Sequence, residues 1–271
     1  MFPPWTPFFF VLTADGSLLR GTRSAPRRRA RAAGTCRLRY MRGLAVTAVA
    51  AALLLAAAGA AHAGVHRHLL GHSLDGRPIV AYEVGDPSSA RTVLVVGCVH
   101  GNEPAGIAVT TVLARLAPPA GVDLWIVPSF NPDGQAAGTR GNARGVDLNR
   151  NFPWRWRPLT GVYYSGTHSL SEPESRIMFA LLTRLRPAVS IWFHQHLDLV
   201  DVSGGNVALE TRFAKLVGLR TAVLSLEPGS IVTWENHRYA HGSAFVVELP
   251  AGQLAPPTAL RFARAIETIA R

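Results

Sequence analysis

Residues 91–106 read "RTVLVVGCVHGNEPAG". The first half is a run of β-branched and apolar residues without polar alternation. That is the pattern of a strand buried on both faces, and so of a sheet covered by helices. The second half changes character at once. His100 lies between Gly97 and Gly101, Glu103 follows three residues on, and "EPAGIAVTTVLARLA" (103–117) carries apolar residues at helical spacing until Pro118-Pro119. A strand that turns directly into a helix leaves its polar residues at the carboxyl end of the strand, where open α/β sheets bind ligands.

The same alternation continues in both directions. "PIVAYEVG" (78–85), "VDLWIVPSF" (122–130), "AVSIWFHQH" (188–196) and "SAFVVELP" (243–250) read as strands. "SLSEPESRIMFALLTRL" (169–185) reads as a helix, with Ser171-x-x-Glu174 as a capping box and Pro173 in its first turn. "ETRFAKLVGL" (210–219) and "TALRFARAIETIA" (258–270) are two more helices. There are no internal repeats. Strands alternating with helices predict a single α/β domain with a mixed, mostly parallel sheet and helices on both faces. One long stretch, 131–170, has no periodicity and is rich in Gly, Asn, Arg and aromatics. Loops of that length in a compact domain are functional or disordered. Within it, "NPDGQAAGTRGNARGVDLNRNFP" (131–153) alternates polar and apolar residues in a way a floppy loop has no need of.

The amino-terminal quarter is different. Residues 41–63, "MRGLAVTAVAAALLLAAAGAAHA", have a charged start, an apolar middle and an Ala-His-Ala end, the pattern of a secretory signal peptide. This predicts translation from Met41, an upstream extension over 1–40 outside the folded protein, and a folded domain over 64–271. It also predicts a protein secreted or held in the cell envelope, with no stable membrane span after cleavage. The charge divides the same way. Residues 1–63 hold nine of the 28 basic residues and one of the 17 acidic ones, so the remainder carries only +3 of the total +11. A nucleic-acid partner, which the overall charge suggests at first sight, is therefore not expected. Cys98 is the single cysteine after residue 63, so no internal disulfide is available there. It reads as a buried apolar residue rather than a nucleophile.

Polar residues gather at the predicted strand ends: His100 and Glu103, then Asn131 and Asp133, then His194 and His196, then Glu248. His100 and Glu103 can reach one point, and His nitrogen with carboxylate oxygen suits zinc. A third ligand must come from elsewhere. His194 and His196 share a strand face, and spacing alone does not choose between them. Glu248 ends an otherwise apolar strand, where an unpaired charge is costly; beside a metal it suits a general base. Arg140, Arg144 and Arg150 form a cluster of forks fit for carboxylates or oxyanions. Competing chemistries lack their residues. There is no G-x-S-x-G elbow, no H-E-x-x-H, and no phosphate loop, Lys215 being the only lysine. "HRYAH" (237–241) has metal-like spacing but no Glu between its histidines, and Tyr-Ala-His-Gly (239–242) reads as a loop.

Taken in order, H-x-x-E, N-P-D-G, Arg, D-x-N-R-N, a strand-ending His and a late Glu resemble the zinc carboxypeptidases of the funnelin type, over about residues 78–251. The resemblance implies one zinc per chain, bound by His100, Glu103 and His194. It implies that Arg140 stabilises the oxyanion, that Asn149 and Arg150 hold a terminal carboxylate, and that Glu248 is the general base. The function implied is hydrolysis of a peptide or amide bond next to a free carboxylate. Digestive members carry a Tyr about twenty residues before the base, whereas "LSLEPGSIVTW" (224–234) has none. With the short length, this is closer to the small bacterial branch that includes murein peptide amidases, which cleave γ-D-glutamyl-diaminopimelate in cell-wall peptides. An N-acyl amino acid deacylase of the aspartoacylase or succinylglutamate desuccinylase type also resembles "HGNE" and "DLNR", but "NPDG" argues against it. A peptide-binding pseudoenzyme would have lost a ligand or the base, and neither is lost.

Overall fold

The computed structural model describes residues 64–271. The predicted extension over 1–40 and signal peptide over 41–63 lie outside the described residues. The strands are β1 (Val65–His72), β2 (Pro78–Gly85), β3 (Thr92–Val96), β4 (Asp123–Val127), β5 (Val189–Gln195), β6 (Leu199–Asp201), β7 (Arg220–Ala222) and β8 (Ser243–Leu249). The helices are α1 (Gly106–Leu113), α2 (Pro132–Ala137), α3 (Pro173–Leu185), α4 (Val207–Val217), α5 (Ile231–Arg238) and α6 (Pro256–Ala270).

All eight strands form one sheet in the order β1-β2-β4-β3-β5-β8-β6-β7. The four central strands β4, β3, β5 and β8 run parallel. They are the apolar runs of the sequence, and every residue of β3 and β4 is buried. The β1-β2, β2-β4 and β6-β8 pairs are antiparallel, so the sheet is mixed, as expected. Strand alternation sorts the core into two layers. Val93, Val95, Ile191, Phe193 and Val247 pack on one face among residues of α1, α4 and α6. Leu94, Val96, Trp192 and Val246 pack on the other among residues of α3 and α5. His194 and Glu248 belong by alternation to this second face.

Several local expectations change. α1 begins at Gly106, not at 103, because residues 100–105 are spent on a turn in which the Glu103 N–H donates to the His100 carbonyl. The capping box at Ser171 does not form. Glu172 is the N-cap with Pro173 at the first helical position, and Glu174 instead accepts the Leu74 N–H across to the β1-β2 turn. The edge strands β1 and β7, the three-residue strand β6 between β8 and β7, and the helices α2 and α5 are not among the predicted elements. His237 of "HRYAH" lies in the last turn of α5, and Tyr239 to Gly242 form the expected loop before β8.

Candidate active site

The carboxyl ends of β3 and β5 carry the centre of the site. His100 follows β3, and Gly101 is required next to it. A Cβ there would lie 1.9 Å from the Gly134 carbonyl carbon, so only glycine lets this turn sit on the start of α2. His100 Nδ1 lies 2.9 Å from Glu103 Oε2, and His194 Nδ1 lies 3.0 Å from both that oxygen and His100 Nδ1. All three residues are buried. The remaining ring nitrogen of His100 is spoken for: its Nε2 lies 3.0 Å from Asp147 Oδ1. A carboxylate there fixes the proton on Nε2 and leaves the Nδ1 lone pair facing the cluster. Three electron-pair donors thus face one another at about hydrogen-bond distance. This donor set fits a borderline divalent cation with two imidazoles and a carboxylate. It is the only such group of three among the described residues. His196 lies beyond the end of β5, exposed; it lines the same cavity without joining the cluster, and it is His194 that stands with His100 and Glu103.

The electrostatics favour a cation at this point. Burial pushes the Glu103 carboxyl up, but hydrogen bonds and charge from His100 and His194 outweigh it and hold it well below the carboxylate range. Burial likewise pushes Asp147 up, and His100, Arg140 and Arg150 outweigh it. His100 in turn is raised: burial lowers it, and Asp147 and Glu103 more than compensate. Cys98, two residues before His100, is buried with its thiol pushed up to about 12, mainly by burial, and donates to the His100 carbonyl. It is no nucleophile.

The motif "GVDLNRNFP" supplies the second wall. Leu148 and Phe152 are buried anchors in the layer beside α3 and α5. Asp147 caps the short 3-10 turn Leu148–Arg150 by accepting the Asn149 N–H at 2.9 Å. Arg140 reaches both acids, with Nη1 3.1 Å from Glu103 Oε1 and Nη2 2.9 Å from Asp147 Oδ2. Asn149 Oδ1 accepts the Ile231 N–H, which leaves its amide NH2 as a donor. Arg150 is 7% exposed, donates to the Asn149 carbonyl, and keeps a buried Nε with no partner. Its Nη2 already lies 3.9 Å from the partly exposed Glu227 carboxylate, so the unpartnered Nε is what remains to receive an anion. Gly229 makes room for it: φ there is +69°, and a Cβ would lie 2.2 Å from the Arg150 carbonyl oxygen. Arg144 does not join the site. It pairs at 3.6 Å with Glu172 on the outer side. "NPDG" proves to be scaffold: Asn131 caps α2 and donates to the Arg140 carbonyl, and Asp133 ties Ser73 and Arg77 of the β1-β2 turn.

Glu248 stands directly beside His194 in the β5-β8 register. Its Oε2 is buried with no hydrogen-bond partner, and burial raises its carboxyl above the usual range, with Glu103 adding to this and His194 opposing it. No arginine pairs with it among the described residues. His100, Glu103, His194, Arg140, Asn149, Arg150 and Glu248 open on one cavity of about 620 Å³. Two residues at the site were not singled out from the sequence. Asp147 was inside a quoted motif, and its carboxylate between two arginine-rich segments was the available signal. Tyr163 could not be placed: it stands half-exposed on the short turn Gly161–Tyr163, with the guanidinium carbons of Arg150 and Arg140 5.2 and 5.4 Å from its ring centre.

The sequence profile of the zinc carboxypeptidase family matches residues 53–206 of the chain, which include His100, Glu103, Arg140, Asp147, Arg150 and His194. The chain belongs to the zinc carboxypeptidase family. Its members are zinc hydrolases, and the donor cluster is the place in this chain that suits the ion. Murein peptide amidase A of Vibrio campbellii is 30% identical over 200 residues, 66% of this chain and 77% of that protein. The protein of the same name in Escherichia coli K12 is 31% identical over 180 residues, 60% of this chain and 74% of that protein. Among solved structures, the murein-tripeptide amidase of Escherichia coli O157 superposes with a TM-score of 0.64 at 25% identity, covering 78% of this chain and 94% of that one. Carboxypeptidase A of Helicoverpa armigera reaches 0.65 at 19% identity, covering 82% and 71%, and shares the fold.

Proposed function

We propose that the protein is a zinc-dependent metallopeptidase that hydrolyses a peptide or amide bond next to a free carboxylate. The observation that carries this reading is the buried, half-unpartnered Arg150 beside the free amide of Asn149, one wall away from the donor cluster. Bound among His100, Glu103 and His194, zinc supplies Lewis acidity for the carbonyl and the attacking water. The residues do the rest. Asn149 and Arg150 hold the terminal carboxylate and so set which amide is presented. Arg140, already fixed by Glu103 and Asp147, turns a partly exposed guanidinium to the charge that develops on the carbonyl oxygen. Glu248 takes the proton of the attacking water and returns it to the leaving amine, and its raised carboxyl suits both steps.

A murein peptide is the favoured substrate. Two murein peptide amidases match over about three quarters of their own length. The signal-peptide pattern over 41–63 supports an extracytoplasmic site of action, where cell-wall peptide lies; N-terminal sequencing of the exported protein is then expected to begin at Gly64. The test is a side-by-side assay on carboxypeptidase substrates, on murein tripeptide and on N-acyl amino acids. Hydrolysis is expected only next to a free carboxylate, with murein tripeptide best and loss of activity on chelation. Equal turnover of a substrate whose carboxylate is amidated, or turnover of N-acyl amino acids alone, overturns the reading.

A further inference from the structure

Strand β1 opens on "GVHRH" (64–68). Gly64, Val65 and His66 are exposed. The His66 ring folds back on Gly64: a Cβ placed there would lie 3.2 Å from His66 Nε2 and 3.6 Å from Cε1. His68 is committed elsewhere. Its Nε2 lies 2.7 Å from Glu83 Oε2, and its ring centre lies 4.7 Å from that of Trp125. β1 is an outermost strand of the sheet. It runs antiparallel to β2, and β2 antiparallel to β4, so β1 points the same way as the central strands. Its start therefore lies at their amino ends, the opposite end of the sheet from the donor cluster.

The signal-peptide pattern gives this exposed start a chemistry. Ala61 and Ala63 set cleavage after Ala63. Cleavage frees the Gly64 amine and makes His66 the third residue of the chain. Nitrogen donors then follow one another along the chain: the Gly64 amine, the Val65 amide, the His66 amide and His66 Nδ1. Each neighbouring pair closes a small chelate ring, and the closed set is planar. A square-planar nitrogen set selects copper(II) or nickel(II), and copper(II) stands above nickel(II) in affinity. Zinc prefers a tetrahedron, so this set is no rival to His100, Glu103 and His194 for zinc. Binding displaces one proton from the ammonium and one from each amide, all to solvent, and takes the imidazole neutral. The amides come from the first rungs of the β1-β2 ladder, Val65 to Val84 and His66 to Glu83. A strand end at the sheet edge is where such opening costs least. Export also carries the site into an oxidising compartment, which keeps copper divalent.

We propose that the mature amino terminus, Gly64-Val65-His66, is a copper(II) site remote from the zinc centre. The inference rests on the reading above, that the chain is exported and cleaved after Ala63.

The test titrates the exported, zinc-loaded protein with copper(II) against a competing chelator. Copper(II) should bind at one equivalent per chain with the violet absorption of a planar all-nitrogen complex, leaving zinc content and hydrolysis unchanged. His66→Ala removes the imidazole. Val65→Pro removes an amide N–H at the first residue of an edge strand, where proline is tolerated. Each should weaken copper binding by about 100-fold or more and abolish the violet colour, with zinc retained. His68→Ala should keep the colour. Equal copper affinity in wild type and His66→Ala overturns the proposal, as does copper that binds only by displacing zinc. An exported protein that begins elsewhere than Gly64 defeats the cleavage reading, and the site falls with it. One that begins at Gly64 yet forms no violet complex defeats the copper site alone.

Discussion

Two groups of buried carboxylates lie on the same face of the sheet and behave in opposite ways. At the strand ends, Glu103 and Asp147 are held well below the carboxylate range. Deeper under α5, Glu235 accepts hydrogen bonds from the Ser190 hydroxyl and the Trp192 Nε1–H, yet its carboxyl is pushed up to about 7 by burial. All three acids are buried. The difference is the donors: imidazoles and guanidinium groups in the first, neutral groups in the second. Burial of an acid is therefore no mark of a site in this protein; convergence of acids on cationic partners is. Glu248 falls between. It has the burial of the interior and, through His194, one neighbour from the charged centre.

The contrast is broken most severely at Glu248. Glu248→Gln keeps the shape and removes the proton acceptor. Turnover should fall by about 10²–10⁴-fold, the usual share of general base catalysis, with zinc content unchanged by metal analysis. A variant that still turns over near the wild-type rate would strip Glu248 of its role and leave it as one more buried acid.

Glu235 offers the converse test, on stability instead of rate. Its folded-state carboxyl titrates above the ordinary value of about 4.5, so the folded chain keeps a proton that the unfolded chain releases. The stability this provides is fully present below pH about 4.5 and is lost as pH rises through about 7. Over that window the loss is on the order of 3 kcal/mol. Glu235→Gln cannot titrate, so its stability in urea melts should fall less steeply between those pH values. Parallel profiles for the two proteins would show that Glu235 does not carry the proton.

How far the sequence alone reaches follows from these same residues. The central strands are legible because a fully buried strand must be apolar throughout, as "TVLVV" and "DLWIV" are. His100, Glu103, Arg140, Asn149, Arg150 and Glu248 stand at strand ends or in ordered loops, and the structure brings all of them to one cavity. His194 and His196 could not be separated by alternation, because the difference lies in where β5 stops. The strands β6 and β7, three residues each, are too short to show a period. Tyr163 and Asp201 reach the cavity from a short turn and from the three-residue strand β6, and only the register and the loop path bring them there.

The smallest expected effect concerns Asp147, and it separates two acids quoted from the same motif-rich stretch. Asp147 holds the far nitrogen of His100, while Asp133, equally buried, ties the β1-β2 turn and touches none of the three donors. Asp147→Asn retains an acceptor oxygen but removes the charge that polarises the imidazole and orients Arg140. Zinc affinity, measured by competition with a chelator, should weaken by about 10–100-fold, the usual cost of losing such a partner. Asp133→Asn should leave that affinity intact and lower only the melting temperature. Were both variants to hold zinc equally well, the carboxylate behind His100 would be packing alone. The low carboxyl of Asp147 would then reflect only its pairing with arginine, and the charged centre would end at its three donors.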